Sequence, residues 1–179
     1  MNIPATVLKD VFSGNYILYA SVPITTSFRY LEWLKTAEDP DDLDARYRDV
    51  VTPNVKSARK AIAQLRRRLH RTVIDPSQLE NVKLDWDQVD YYRFWDTVIR
   101  EVSTEVVFMD GWAYSTGCCH ELISALEAQK PIYTQDHTPL TVEAAAAMID
   151  SSLTAYREQG IENESLAKVL ARLNDFLPQ

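Results

Sequence analysis

Short apolar runs alternate with segments of helical periodicity along this chain, and that alternation limits the possible folds more than any other feature. Residues 16–22, 72–74, 105–109 and 131–133 are short, apolar and bounded by turn signals, as buried strands are. Gly14-Asn15 precedes the first run, Pro23 ends it, and Asp75-Pro76 closes the second. Between them lie segments of helical spacing. One starts after Thr25, Thr26 or Ser27 and carries Phe28, Leu31, Trp33 and Leu34. Residues 53–69 present Val55, Ala58, Ile62, Leu65 and Leu69 on one stripe, and residues 88–102 present Val89, Tyr92, Trp95, Val98, Ile99 and Val102. Residues 117–129, 142–156 and 165–177 complete the helices, and residues 77–87 form a loop rich in polar and aromatic side chains.

Strands that alternate with helices at this spacing predict a mostly parallel sheet covered on both faces. The expected fold is α/β, a single three-layer domain over residues 1–179 with a flavodoxin- or Rossmann-like sheet. Residues 37–49 hold six acidic side chains and Pro40, which predicts a solvated surface insertion. The C-terminal helices fall at about 141–177. Arg66, Arg67 and Arg68 close a helix, where cations suit the negative end of its dipole.

Charge narrows the partners. The net charge is -7, and binding to nucleic acid or to an anionic membrane surface needs a positive field. No apolar run approaches the roughly 20 residues that cross a bilayer, and no basic segment followed by an apolar one opens the chain. The two cysteines, Cys118 and Cys119, are neighbours and cannot clip distant segments together. The expectation is a cytoplasmic protein with neither nucleic-acid nor membrane partners.

Glycine is scarce. Of four glycines, Gly111 and Gly117 lie close together in Asp110-Gly111-Trp112-Ala113-Tyr114-Ser115-Thr116-Gly117-Cys118-Cys119-His120-Glu121. In an open α/β sheet, ligands sit beyond the carboxyl ends of the strands, and this segment follows the third strand. Ser115 can cap the next helix, whose free N–H groups and positive dipole end suit an anion. Glu121 then lies about one turn into that helix. Spacing alone leaves two readings open: an anion site with a reactive carboxylate, or an ordinary capped helix with a solvated glutamate.

The run from Val106 through Leu122, with its apolar strand, Gly-Trp and Ser-x-Gly-x-x-x-Glu, resembles the nucleoside 2-deoxyribosyltransferase superfamily. That superfamily includes 2'-deoxynucleoside 5'-monophosphate N-glycosidases. Tyr19-Ala20-Ser21-Val22-Pro23 is similar to the family's first strand end, with Tyr19 and Pro23 in register, and Asp96 matches an Asp in the helix before the third strand. The resemblance implies cleavage of a base–sugar bond. Glu121 would be the nucleophile, Asp96 would handle a sugar hydroxyl or the leaving base, and Tyr19 would orient Glu121. Ser115 and Gly117 would hold a 5'-phosphate, and Ser21, Asp110, Gly111, Trp112 and Arg29 would complete the substrate pocket, with Arg29 as charge partner. Val22 stands where the family usually has Gly. The ligand expected is a small nucleoside or nucleotide, with no cofactor and no metal. A neighbouring subunit completes the pocket in that family, which implies a homodimer or higher homo-oligomer.

Tyr114, Ser115, Cys118, Glu121 and Leu122 also resemble the Ser-x-Trp-Cys-x-x-Glu-Leu signature of TIR domains, with Gly117 in place of the Trp. Some TIR domains cleave the nicotinamide–ribose bond of NAD. A non-catalytic nucleotide-binding or interaction module is the third expectation. Cys118, Cys119 and His120 point about 100° apart on a helix and cannot chelate together. His137 follows the fourth strand as a loop residue, Trp86, Tyr91, Tyr92 and Trp95 form an aromatic cluster, and the run Ala144 to Ala147 suits a closely packed helix.

Overall fold

The computed structural model describes residues 16–81 and 86–177. Gly14-Asn15, the N-terminal segment and part of the 77–87 loop lie outside these residues.

Four strands form one sheet: β1 (Ile17–Ser21), β2 (Thr72–Ile74), β3 (Glu105–Phe108) and β4 (Ile132–Thr134). Their order is β2-β1-β3-β4, and every pairing is parallel. β1 is apolar throughout except for Ser21 and is buried along its whole length, as a strand covered on both faces must be. The order reverses between β1 and β3, so the crevice beyond their carboxyl ends is the site such sheets offer a ligand.

The helices are α1 (Phe28–Leu34), α2 (Leu43–Arg46), α3 (Thr52–Leu69), α4 (Gln88–Thr97), α5 (Thr116–Glu127), α6 (Val142–Arg157) and α7 (Glu164–Leu173). Side chains alternate across the sheet. Leu18, Ala20, Val73 and Val107 pack under Ala58, Ile62 and Leu65 of α3 on one face. Ile17, Tyr19, Val106 and Phe108 pack under α4, α5, α6 and α7 on the other. The result is the three-layer α/β arrangement that the alternation predicts.

The acidic side chains of the 37–49 stretch are exposed, as a solvated insertion requires, but part of the stretch is helical. Leu43–Arg46 is helical and continues through a π-helical turn, Tyr47–Val51, directly into α3. Asp42 caps it by accepting the Ala45 N–H, and Asp44 lies in the first turn. The acidic residues that read as a solvated excursion thus supply a helix start and favour its dipole. Two inward positions also differ. Val89 is half exposed, and on α3 the buried residue is Asn54 rather than Val55. Asn54 donates to Ile24 O (2.8 Å) and Ser27 Oγ (2.9 Å) and accepts from Arg29 Nε (3.2 Å), so every amide atom is satisfied. This staples the loop after β1 to α3. Ser27 is the first residue before α1, and its hydroxyl serves Asn54 instead of capping the helix.

Among the described residues, no helix is long and apolar enough to cross a membrane.

Candidate active site

The Asp110–Glu121 segment is divided by its two glycines. After β3 the chain turns at Gly111, whose φ of 79° falls in the left-handed region that side chains disfavour. A 3-10 turn, Trp112–Tyr114, brings it back, and Ser115 starts α5 with its hydroxyl accepting the Cys118 N–H. Gly117 has an ordinary φ, and a methyl group there would meet only Ser115 Oγ at 3.7 Å. One glycine therefore makes the turn, and the other leaves open space at the helix start.

Glu121 projects from α5 toward the end of β1. Its Oε1 accepts from Tyr19 Oη at 2.6 Å and its Oε2 from Ser21 Oγ at 2.6 Å. Tyr19 and Ser21 alternate with Ala20 along β1, so both point to the face that α5 covers. Trp95 of α4 packs on the Tyr19 ring, with centroids 5.6 Å apart, and fixes the phenol from the other side. Phe94 and Trp86 extend this aromatic chain outward. Burial pushes Tyr19 well above the ordinary phenol range, so it stays a donor. Burial also raises the Glu121 carboxyl to about 7, and the hydrogen bonds from Ser21 and Tyr19 pull in the opposite sense.

Glu121 opens onto a cavity of about 580 Å³, the size class that holds a nucleotide. Ser115 and Gly117 line one end, where the first-turn N–H groups of α5 have no partner within the helix. Tyr92 and Asp96 of α4 form a wall with Arg100, which lies in the π-helical turn Val98–Val102 that continues α4, and Arg172 of α7 also lines the cavity. Asp96 Oδ1 accepts from Ser124 Oγ (2.6 Å) and from Arg100 Nε (2.7 Å). Since Ser124 is three residues beyond Glu121 on α5, Asp96 stands about one turn along the helix from the Glu121 carboxylate.

Six of the expected site residues thus gather here: Glu121, Tyr19, Ser21, Asp96, Ser115 and Gly117. Four do not. Arg29, Asp110 and Gly111 line a second cavity of about 590 Å³, walled by Asn54 and Ala58 of α3. The Gly111 turn sends Asp110 and Gly111 to that face, where Gln135 Nε2 donates to Asp110 at 2.8 Å, and Arg29 is held there by its bond to Asn54. Trp112 is in the core against Phe108 and reaches neither cavity. Arg29 therefore gives no charge to the Glu121 pocket. Among the described residues, the cations there are Arg93, Arg100 and Arg172. Arg100 follows Asp96 by four residues, a helical pairing readable from sequence, whereas nothing local marks Arg172.

Val22 is buried and lines the Glu121 cavity. His137 lies on Tyr133 and within 3.1 Å of Glu105 Oε1, away from this cavity. Cys118 and Cys119 are buried in the core. Among the described residues, no group of three or more His, Cys, Asp or Glu side chains is placed to hold a metal ion.

Comparison of the chain with family models, with curated proteins and with solved structures finds no match. The chemistry must be read from the site. A carboxylate near neutrality, held by two hydroxyl donors and open to a cavity with an anion-favouring helix start, can attack an electrophilic carbon beside a bound phosphate.

Proposed function

We propose that this protein cleaves the N-glycosidic bond of a nucleoside or nucleoside 5'-monophosphate, with Glu121 as nucleophile. The observation that carries the reading is the two-point grip of Tyr19 and Ser21 on the Glu121 carboxylate at the cavity floor. A solvated helix glutamate has no such partners. The 5'-phosphate rests at the start of α5, against the Gly117 N–H and Ser115, and C1' then lies over Glu121, one helical turn away.

One Glu121 oxygen attacks C1' as the base departs with the electron pair of the broken C–N bond, giving a glycosyl ester. Asp96 stands on the base side to position it or relay its proton. Water, or an acceptor base, then attacks C1' and returns the carboxylate. Tyr19 and Ser21 keep the attacking oxygens aimed and lower the free energy of the ionised form. The cytoplasmic setting and homo-oligomeric assembly expected from the sequence belong to this proposal.

The test is to trap the ester. Protein mixed with a nucleoside monophosphate and quenched in acid gains the mass of the sugar phosphate, and peptide mapping places it on Glu121. A Glu121→Ala protein that gains the same mass contradicts the assignment. Nicotinamide release from NAD, with no base released from any monophosphate, moves the assignment to the NAD-cleaving alternative.

A further inference from the structure

Resting on that reading, we propose that the site is built for a two-ring, purine-sized base, whose far edge is read by Asp96 and Arg100. The Glu121 cavity follows the seam between two parallel helices. Three side-chain pairs cross the seam in register. The Tyr92 and His120 rings lie 5.1 Å apart, Ser124 donates to Asp96, and Arg100 donates to Glu127. The cavity-wall residues of α4 and of the π-helical turn Val98–Val102 that continues it, Gln88, Tyr92, Asp96 and Arg100, recur every four positions. On α5 the corresponding stripe is Gly117, Glu121, Ser124 and Glu127.

This register makes a ruler. Gly117 to Glu121 spans about 6 Å along the helix, Glu121 to Ser124 about 4.5 Å, and Glu121 to Glu127 about 9 Å. With the phosphate at Gly117 and C1' at Glu121, a one-ring base ends near the Asp96–Ser124 pair. A fused two-ring base extends to the Arg100–Glu127 level. The groups waiting there are unequal to their internal bonds. Asp96 Oδ1 takes both Ser124 and Arg100, while among the described residues Oδ2 receives no hydrogen bond. Arg100 spends Nε on Asp96 and Nη2 on Glu127, which among the described residues leaves Nη1 as a donor. An acceptor beside a donor complements the N–H and ring-nitrogen or carbonyl edge of a purine. Arg172 donates to the other Glu127 oxygen, so both oxygens of that carboxylate are already engaged at this level. A one-ring base would leave Arg100 Nη1 facing solvent across a gap, which favours the longer ligand.

Binding, measured apart from turnover, tests this. Calorimetric titration of Glu121→Ala protein with purine and pyrimidine 5'-monophosphates gives the ratio of their affinities. The expected ratio favours purines by about tenfold or more. Arg100→Lys, which keeps the charge but loses the guanidinium fork, brings the ratio close to one, and Arg172→Ala lowers it partway. A ratio near one in the parent, a ratio untouched by Arg100→Lys in a protein of unchanged melting temperature, or no binding of either class overturns the inference. Base release by the unsubstituted protein is read separately. Purine-selective binding without base release sinks the glycosidase assignment and leaves the base-recognition proposal standing.

Discussion

Tyr19 donates its phenol hydrogen to Glu121 at 2.6 Å across 102 positions of sequence. The first residue is in the inner strand β1 and the second on α5, the helix that follows β3 two strands later, so only the parallel winding brings them together. Burial raises the carboxylate on which the proposed chemistry depends, and this pairing opposes that rise.

Activity should therefore follow the charge of Glu121. Its carboxyl is held up at about 7 by burial, and only the ionised form attacks C1'. Base release is expected to rise with pH through about 7 and then level off. Initial rates from pH 5 to 9 check this, and a rate already maximal at pH 5 contradicts it.

Removing the Tyr19 hydroxyl should move that inflection upward. A hydrogen bond to a charged group is worth about 1.5–3 kcal/mol, or roughly one to two pH units on the ionised form. Tyr19→Phe keeps the ring against Trp95, so the fold survives while the pH profile shifts to higher pH and kcat falls about tenfold or more below neutrality. Ser21→Ala shifts the profile the same way. An inflection that stays in place or moves down would show that the hydroxyls do not support the anion.

The same burial predicts a stability change of definite sign. A carboxyl whose folded-state value is raised binds more protons folded than unfolded between its ordinary value and about 7. Stability is thus highest below that window and is lost as pH rises through it. Glu121→Gln removes the buried charge and is expected to stabilise the protein by about 2 kcal/mol at pH 8, after allowance for the partial exposure of Glu121. The gain shrinks toward zero near pH 5. Urea denaturation at both pH values measures it, and a variant less stable than the parent at pH 8 contradicts the account.

Gly111 and Gly117 should separate cleanly. Gly111→Ala forces a side chain into a left-handed conformation and should cost about 1–2 kcal/mol of stability. Gly117→Ala meets nothing closer than 3.7 Å and should melt like the parent, yet weaken phosphate binding because its methyl enters the cavity. Equal melting temperatures for both variants, or full nucleotide affinity in Gly117→Ala, would reverse these assignments.

The layered fold was legible because each strand is short, apolar and bracketed by turn residues, while the helical stripes between them are long. Ser115 was legible as a helix cap because capping is local. Spacing alone left Glu121 open between a reactive and a solvated carboxylate, since its partners Tyr19 and Ser21 lie about a hundred positions away. The partition of the site was not. Sequence order puts Asp110 and Gly111 beside Ser115, but the positive φ of Gly111 turns them to the opposite face of the sheet. Arg29 is drawn to that face by Asn54, a buried polar residue on a stripe that read as apolar. Arg172 enters the Glu121 cavity from a helix more than fifty residues downstream, and such long-range placement leaves no local mark.

The central claim is that Glu121 breaks a base–sugar bond, and chromatography of free base measures that most directly. The protein is incubated with nucleosides, their 5'-monophosphates and NAD, beside the Glu121→Ala variant. The account predicts base release from at least one nucleoside or monophosphate by the parent and none by a folded variant. No base from any substrate, or equal release by Glu121→Ala, contradicts it.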